Sequence, residues 1–299
     1  MRLAAIDIGS NAARLLIQDI TTYKDGSLDY TKVNLLRVPL RLGFDVFESG
    51  IISEYKTNEL IETLKAYRHL MKVYDVKSYR ACATSAMRDA KNGKEIVARV
   101  QKEIGLNIEI ITGSQEAEIL YETHLAEKLD NKSNYLYIDV GGGSTELTLY
   151  SNNKVTYKQS FNIGTIRLLK NKVDVAIWDE MKVALKKYCK SNTVAIGSGG
   201  NINKVFSISK RKNDKPLSLD ILKEYYKEMN ALTVEERIHK YGFKEDRADV
   251  IVPALNIYTT VMRWANISEI FVPQIGLADG IIKLLYKDIY IDQLNRVRG

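Results

Sequence analysis

Apolar and polar positions change period repeatedly along the chain, and the changes divide it into strands and helices. Leu3-Ala4-Ala5-Ile6 and Tyr135-Leu136-Tyr137-Ile138 are short apolar runs that end in Asp7-Ile8-Gly9 and Asp139-Val140-Gly141, as buried strands do where they break into glycine turns. A second strand follows each turn, Arg14 to Ile20 and Glu146 to Tyr150. Elsewhere the period lengthens. Leu60, Leu64, Tyr67 and Met71 stand at helical spacing behind Ser53, which predicts an N-capped helix to about Tyr74. Further strands are expected at Ser78 to Ala83, Ile108 to Ile111, Val155 to Phe161, Thr193 to Ile196 and Ile270 to Val272. Tyr30 to Leu42 reads as a less regular strand region, and a turn is expected after it at Gly50. Helices are expected from Lys94 to a C′ glycine at Gly105, from Gln115 to Tyr121, and from about Asp174 to Lys190. Others start at Gly164, at Leu219 and behind the capping box Thr233…Glu236, and one long helix is expected from about Arg247 to Ala265. Strands alternating with helices predict an α/β protein.

Ile6-Asp7-Ile8-Gly9 aligns with Ile138-Asp139-Val140-Gly141, so the chain reads as two copies of one unit. The expected division is residues 1–126 and 127–282, with a last helix, about 283–299, returning to the first unit. Two such units would face their glycine turns across a shared cleft. Glycines let the backbone approach a ligand closely, and successive amides in such a turn form a concave anion site. Asp139, at the strand end, sets a carboxylate beside Gly141, Gly142 and Gly143, which implies a divalent cation. The alternative is an ordinary hairpin with a glycine turn. Gly197-Ser198-Gly199-Gly200-Asn201 opens a helix, where free N–H groups bind anions, or where helix–strand packing requires glycine. Arg88 directly follows a strand end, from which it reaches the cleft or lies on the surface. Glu116 stands in a first helical turn, a common place for acids, and means little alone.

Composition narrows the setting. The 299 residues are 45% hydrophobic and 27% charged, ordinary for a soluble globular protein of one or two domains. No apolar run approaches the ~20 residues of a membrane span, and no signal-peptide organisation is evident, so a cytoplasmic enzyme is expected. Cys82 and Cys189 are isolated, as are His69, His124 and His239; neither a disulfide framework, a thiolate metal site nor a covalent-nucleophile triad is expected. The balance of 44 Lys and Arg against 37 Asp and Glu gives +7, which favours anionic partners. Basic clusters, such as Lys210, Arg211, Lys212 and Lys215, are solvated faces or a polyanion track. No aromatic residues interleave with them as base stacking needs.

The two hairpin turns, with Thr84-Ser85-Ala86-Met87-Arg88, Gln115-Glu116-Ala117 and Gly276-Leu277-Ala278-Asp279-Gly280, resemble the exopolyphosphatase / guanosine pentaphosphate phosphatase family over essentially the whole chain. Asp139-Val140-Gly141-Gly142-Gly143-Ser144-Thr145-Glu146 is the most specific motif. The resemblance implies two duplicated ribonuclease H-like domains of the actin-like ATPase superfamily. It also implies removal of terminal phosphate from polyphosphate or pppGpp, generally with Mg²⁺. By motif, Glu116 matches the catalytic Glu that activates water, and Asp139 and Glu146 match acids that hold the metal or position the water. Asp7 fits a metal-side or hairpin role. Ser10, Asn11, Arg14, Gly141, Gly142, Gly143, Ser144 and Thr145 match phosphate-loop positions, Arg88 a motif Arg near the phosphates, and Gly199 and Gly200 the third turn. The partners implied are a polyanionic phosphate substrate, neither nucleic acid nor membrane, and a homodimer as the candidate assembly. Three departures stand out: Gln115 where a second Glu is frequent, Gly200 for a usual Thr, and Ala278 for a frequent Arg. The last keeps open a non-hydrolytic alarmone or polyphosphate sensor, beside a kinase or a nucleotide-dependent assembly module of the same superfamily.

Overall fold

The computed structural model describes residues 1–121, 134–152, 154–212 and 215–298. The chain forms two compact units, Met1–Thr123 with Leu277–Gly299, and His124–Gly276. The expected division between residues 126 and 127 lies outside the described residues.

The first unit is built on a five-stranded sheet ordered β3 (Leu28–Val38), β2 (Ala13–Thr22), β1 (Arg2–Ile8), β4 (Ser78–Ala83) and β5 (Glu109–Ile110). β1 and β2 form an antiparallel hairpin, whereas β4 runs parallel to β1. All of Leu3 to Ile8 is buried, because a central strand with parallel crossovers is covered on both faces. On one face Leu3, Ala5, Leu16 and Cys82 meet Ile119 of α5 (Gly113–Tyr121) and Leu277, Ile281 and Ile282 of α13 (Leu277–Arg298). α13 therefore starts six residues earlier than the 283 expected. α2 (Glu54–Val73) packs on β2, where the Tyr67 hydroxyl donates to the Ala13 carbonyl at 3.0 Å. Its N-cap is Ser53, as expected, with Oγ accepting from the Lys56 amide.

In the second unit the sheet order is β10 (Leu217–Ser218), β11 (Glu269–Phe271), β9 (Thr193–Ser198), β6 (Asn134–Val140), β7 (Thr145–Ser151) and β8 (Lys154–Phe161). Outward from β6 come two antiparallel strands on one side and two parallel ones on the other, the same arrangement that surrounds β1. Only β10 is extra. The duplication suggested by four matching residues thus extends to the whole sheet. Leu136, Ile138 and Leu147 form the core with Met181 and Leu185 of α7 (Val175–Tyr188), Phe206 of α8 (Gly200–Ile208) and Leu255, Tyr258 and Met262 of α12 (Ile251–Trp264).

Two expectations fail. The strand region ends at Val38, and α1 (Leu42–Ser49) occupies the stretch before Gly50. Arg41 reverses the chain at φ 57°, and Gly43 in the first turn weakens the helical signal. The long helix from Arg247 is instead α11 (Glu245–Ala248) and α12, separated at Asp249-Val250. Pro253 lacks an N–H and so sits in a first helical turn, which forces a new start there. The capping box forms as expected on α10 (Val234–Tyr241). No described helix is long and apolar enough to cross a membrane.

Candidate active site

In the second unit the hairpin β6–β7 closes through the Gly141 amide, which donates to the Ser144 carbonyl at 2.9 Å. The carbonyls of this turn point the other way, into α6 (Thr165–Leu169). Gly141 O accepts from the Thr165 amide at 3.0 Å, and Gly142 O from the Ile166 and Arg167 amides at 2.8 and 3.3 Å. Gly143 O accepts from Arg167 Nε at 2.7 Å. The donors are first-turn amides, which have no partner within their own helix. In a trans peptide the N–H lies opposite the C=O. The amides of Gly142, Gly143 and Ser144 therefore point away from α6, on the side where an anion could meet them. Thr145 is fully buried and its hydroxyl donates to the Ile163 carbonyl at 2.6 Å, so it braces the turn rather than presenting a side chain. At Gly164 a Cβ would overlap the Gly142 and Gly143 backbone. In the sequence Gly164 signals no more than a helix start.

Register sets four polar side chains in one row across this sheet. Ser198 on β9 lies beside Asp139 on β6, Asp139 opposite Glu146 on β7, and Glu146 opposite Ser160 on β8. Partners in register share a face. Ser198 Oγ donates to Asp139 Oδ1 at 2.7 Å. Ser144 Oγ and Ser160 Oγ both donate to Glu146 Oε1, each at 2.7 Å, which fixes the orientation of a carboxylate only 3% exposed. Carboxylate oxygens of Asp139 and Glu146 come within 4.8 Å of one another. This all-oxygen donor set fits a hard divalent cation such as Mg²⁺. Ser160 and Ser198 carry no local sequence signal for this role, since register across separate strands brings them in.

The third turn follows β9. Gly199 adopts φ 109°, and a Cβ there would stand 3.1 Å from Val140 O and 3.2 Å from Asp139 Oδ1. Glycine is thus required by packing against the end of β6, while Gly200 starts α8 and leaves its N-terminal amides at the turn. Asn201 Oδ1 accepts from Arg247 Nη1 at 2.6 Å.

The first unit repeats the construction with different chemistry. The Gly9 amide donates to Ala12 O at 3.1 Å, Ser10 O accepts from the Gly43 amide at 2.8 Å, and Asn11 O from the Arg41 amide at 2.9 Å. The unforeseen α1 is therefore the counterpart of α6. The corresponding row is Cys82, Asp7, Arg14 and Arg37. Arg14 Nη1 pairs with Asp7 Oδ2 at 2.6 Å across the hairpin, so of the two roles expected of Asp7, metal-side or hairpin, this ion pair serves the hairpin. Burial and then the Glu109 charge push the Cys82 thiol up to about 12, which keeps it protonated and inert. Ser10 Oγ hydrogen-bonds Ser85 Oγ at 2.8 Å, where α3 (Ser85–Asp89) begins.

Arg88 of α3 donates through Nη1 to Ile111 O at 2.9 Å and lies 3.9 Å from Glu116 Oε2. Glu116, 8% exposed, sits in the first turn of α5. Thr112 caps that turn: its Oγ1 accepts from the Gln115 amide at 3.1 Å, and Gln115 Oε1 accepts from the Thr112 amide at 2.8 Å. Gln115 thus completes a capping box, which accounts for its place next to Glu116. Ala278 is buried in the core of this unit, in the first turn of α13.

A profile of the Ppx/GppA phosphatase family matches residues 20–287. The bifunctional 3-dehydroquinate synthase/phosphatase of Fusobacterium nucleatum is 32% identical over 197 residues, which cover 63% of this chain and 30% of that protein. Exopolyphosphatase 1 of Mycobacterium tuberculosis is 23% identical over 94% of this chain and 87% of its own length. Guanosine-5'-triphosphate,3'-diphosphate pyrophosphatase of Vibrio cholerae is 23% identical, and the match spans 96% of this chain but 59% of that protein. The crystal structure of the Aquifex aeolicus Ppx/GppA family member superposes with a TM-score of 0.75 at 28% identity, covering 96% of this chain and 98% of that one.

Proposed function

The chain belongs to the Ppx/GppA phosphatase family, and we propose on that premise that it hydrolyses terminal phosphoanhydride bonds of inorganic polyphosphate or pppGpp in the cytoplasm. The observation that carries this reading is the amide array of Gly142, Gly143 and Ser144 beside the Asp139–Glu146 pair. Phosphoanhydride hydrolysis needs neutralised phosphoryl oxygens and an in-line water, with little covalent work by the protein. The amides of the β6–β7 turn bind the terminal phosphate. Further phosphate contacts are assigned to Ser10, Asn11 and Arg14 and to the α8 amides at Gly199-Gly200. Asp139 and Glu146 would hold the divalent cation, which, when bound, neutralises charge on the phosphoryl oxygens. Glu116, steadied by Arg88, accepts the proton of the attacking water. The water oxygen bonds to the terminal phosphorus, the bridging P–O bond breaks, and orthophosphate leaves with the chain one phosphate shorter.

The test is phosphate release from long-chain polyphosphate, pppGpp and ATP, each with and without Mg²⁺. Metal-dependent release from polyphosphate or pppGpp, lost in Glu116→Gln, is the expected result. Binding of these compounds with release from none would overturn the hydrolase reading in favour of a sensor.

A further inference from the structure

Tyr258 is fully buried on α12, and its hydroxyl donates to the main-chain carbonyl of Ser198. Burial, together with the Asp139 charge, pushes that hydroxyl well above the ordinary tyrosine range, so it stays a neutral donor. The residue it grips is the one whose own Oγ donates to Asp139 Oδ1 at 2.7 Å. The next residue is Gly199, at positive φ, where a side chain would crowd Val140 O and Asp139 Oδ1. A single tyrosine in the core thereby fixes the peptide at the end of β9. That peptide fixes a serine hydroxyl, and the hydroxyl fixes one oxygen of the carboxylate.

We propose that Ser198 is a positioning residue for Asp139, held in place by Tyr258, and that this relay sets how tightly Asp139 binds a divalent cation. The proposal rests on the preceding assignment of Asp139 and Glu146 to the cation. A carboxylate ligand with one oxygen occupied by a fixed donor loses less rotational freedom on binding, and its remaining lone pairs are aimed before the ion arrives. Glu146 has the equivalent arrangement from Ser144 and Ser160. The Ser198 link differs in running back through the sheet to a helix on its face.

Mn²⁺ binding to the purified protein without substrate, measured by electron paramagnetic resonance, tests the relay independently of turnover. Ser198→Ala is expected to raise the Mn²⁺ dissociation constant 10- to 100-fold, the usual range for removing a ligand's supporting donor. Ser198→Thr, which keeps the hydroxyl, should restore it to within about threefold. Tyr258→Phe removes one hydroxyl from an intact core and should weaken binding several-fold; it carries the test if Ser198→Ala fails to fold. Thr259→Val is the control on the same helix, since the Thr259 hydroxyl returns to the helix's own Leu255 carbonyl, and it should change nothing. Parent-like Mn²⁺ affinity in Ser198→Ala and Tyr258→Phe, with binding abolished by Asp139→Asn, would overturn the relay while leaving the cation assignment intact. Undiminished binding in Asp139→Asn would overturn the assignment itself and the relay with it.

Discussion

Replacing Gly164 by alanine separates what the β6–β7 turn does from how the rest of the unit is held together. Gly164 has φ −136°, ordinary extended backbone, so alanine brings no conformational penalty of its own. The penalty is contact: the new Cβ would stand 2.5 Å from the Gly142 carbonyl carbon, against roughly 3.5 Å at van der Waals separation. Its nearest neighbours are main-chain atoms of Gly142 and Gly143, so no side-chain rotation relieves the overlap. The turn and α6 must part by about 1 Å, which is the scale of misplacement that costs roughly 10²-fold in rate. In free energy that is about 2.7 kcal/mol at the transition state, alongside about 1–3 kcal/mol of overpacking strain in the fold. Orthophosphate release gives kcat/KM, and a thermal melt gives the strain. A fall of about a hundredfold with a modest loss in Tm is expected. Activity within threefold of the parent, in a protein whose Tm has dropped, would mean that this turn does not hold the reacting phosphate.

Three further outcomes are expected. Glu116→Gln should lower turnover by roughly 10²- to 10⁴-fold with an unchanged melt, the scale of a positioned base, and a loss under about tenfold would remove Glu116 from the chemistry. Thr233→Ala should cost α10 its capping box and the protein about 1 kcal/mol by denaturant titration, without altering phosphate release. Burial pushes the Tyr67 hydroxyl up to about 12, so the unfolded chain ionises first; stability present below pH 10 should fall as pH rises from 10 towards 12. Tyr67→Phe should flatten that decline in Tm measured against pH, and an equally steep decline would place the alkaline sensitivity elsewhere.

Much of this was legible locally. The hairpins, the Ser53 and Thr233 caps and the buried row Leu60, Leu64, Tyr67 and Met71 all follow from patterns within a few residues. α1 escaped because Arg41 turns at positive φ and Gly43 dilutes its first turn. The split before α12 is marked by Pro253, and the apolar stripe Ile251, Leu255, Tyr258 and Met262, all buried, masks it by keeping helical period across the start. The site was legible as motifs but not as supports. Ser198 and Ser160 reach the carboxylates through sheet register, and Gly164 and Arg167 reach the turn from about twenty residues downstream. Nothing in the spacing of a single strand records such partners. The pairing of Asp7 with Arg14 was closer to hand, since seven residues across a short turn place two side chains opposite one another.

The first unit is assembled from both ends of the described chain, whereas the second comes from one uninterrupted stretch. A ribosome releases Leu3, Ala5, Leu16 and Ile119 long before Leu277, Ile281 and Ile282, the residues that cover them. The strands made first are thus among the last to be enclosed, and their apolar face waits for the whole second unit to be synthesised. During that interval the second unit can acquire its core, while the first can close only the face of its sheet that α2 covers. A chain cut short before Leu277 would carry one finished half and one open sheet, with the Gly280 contact against Ile119 and the seating of the Glu116 helix among the things it lacks.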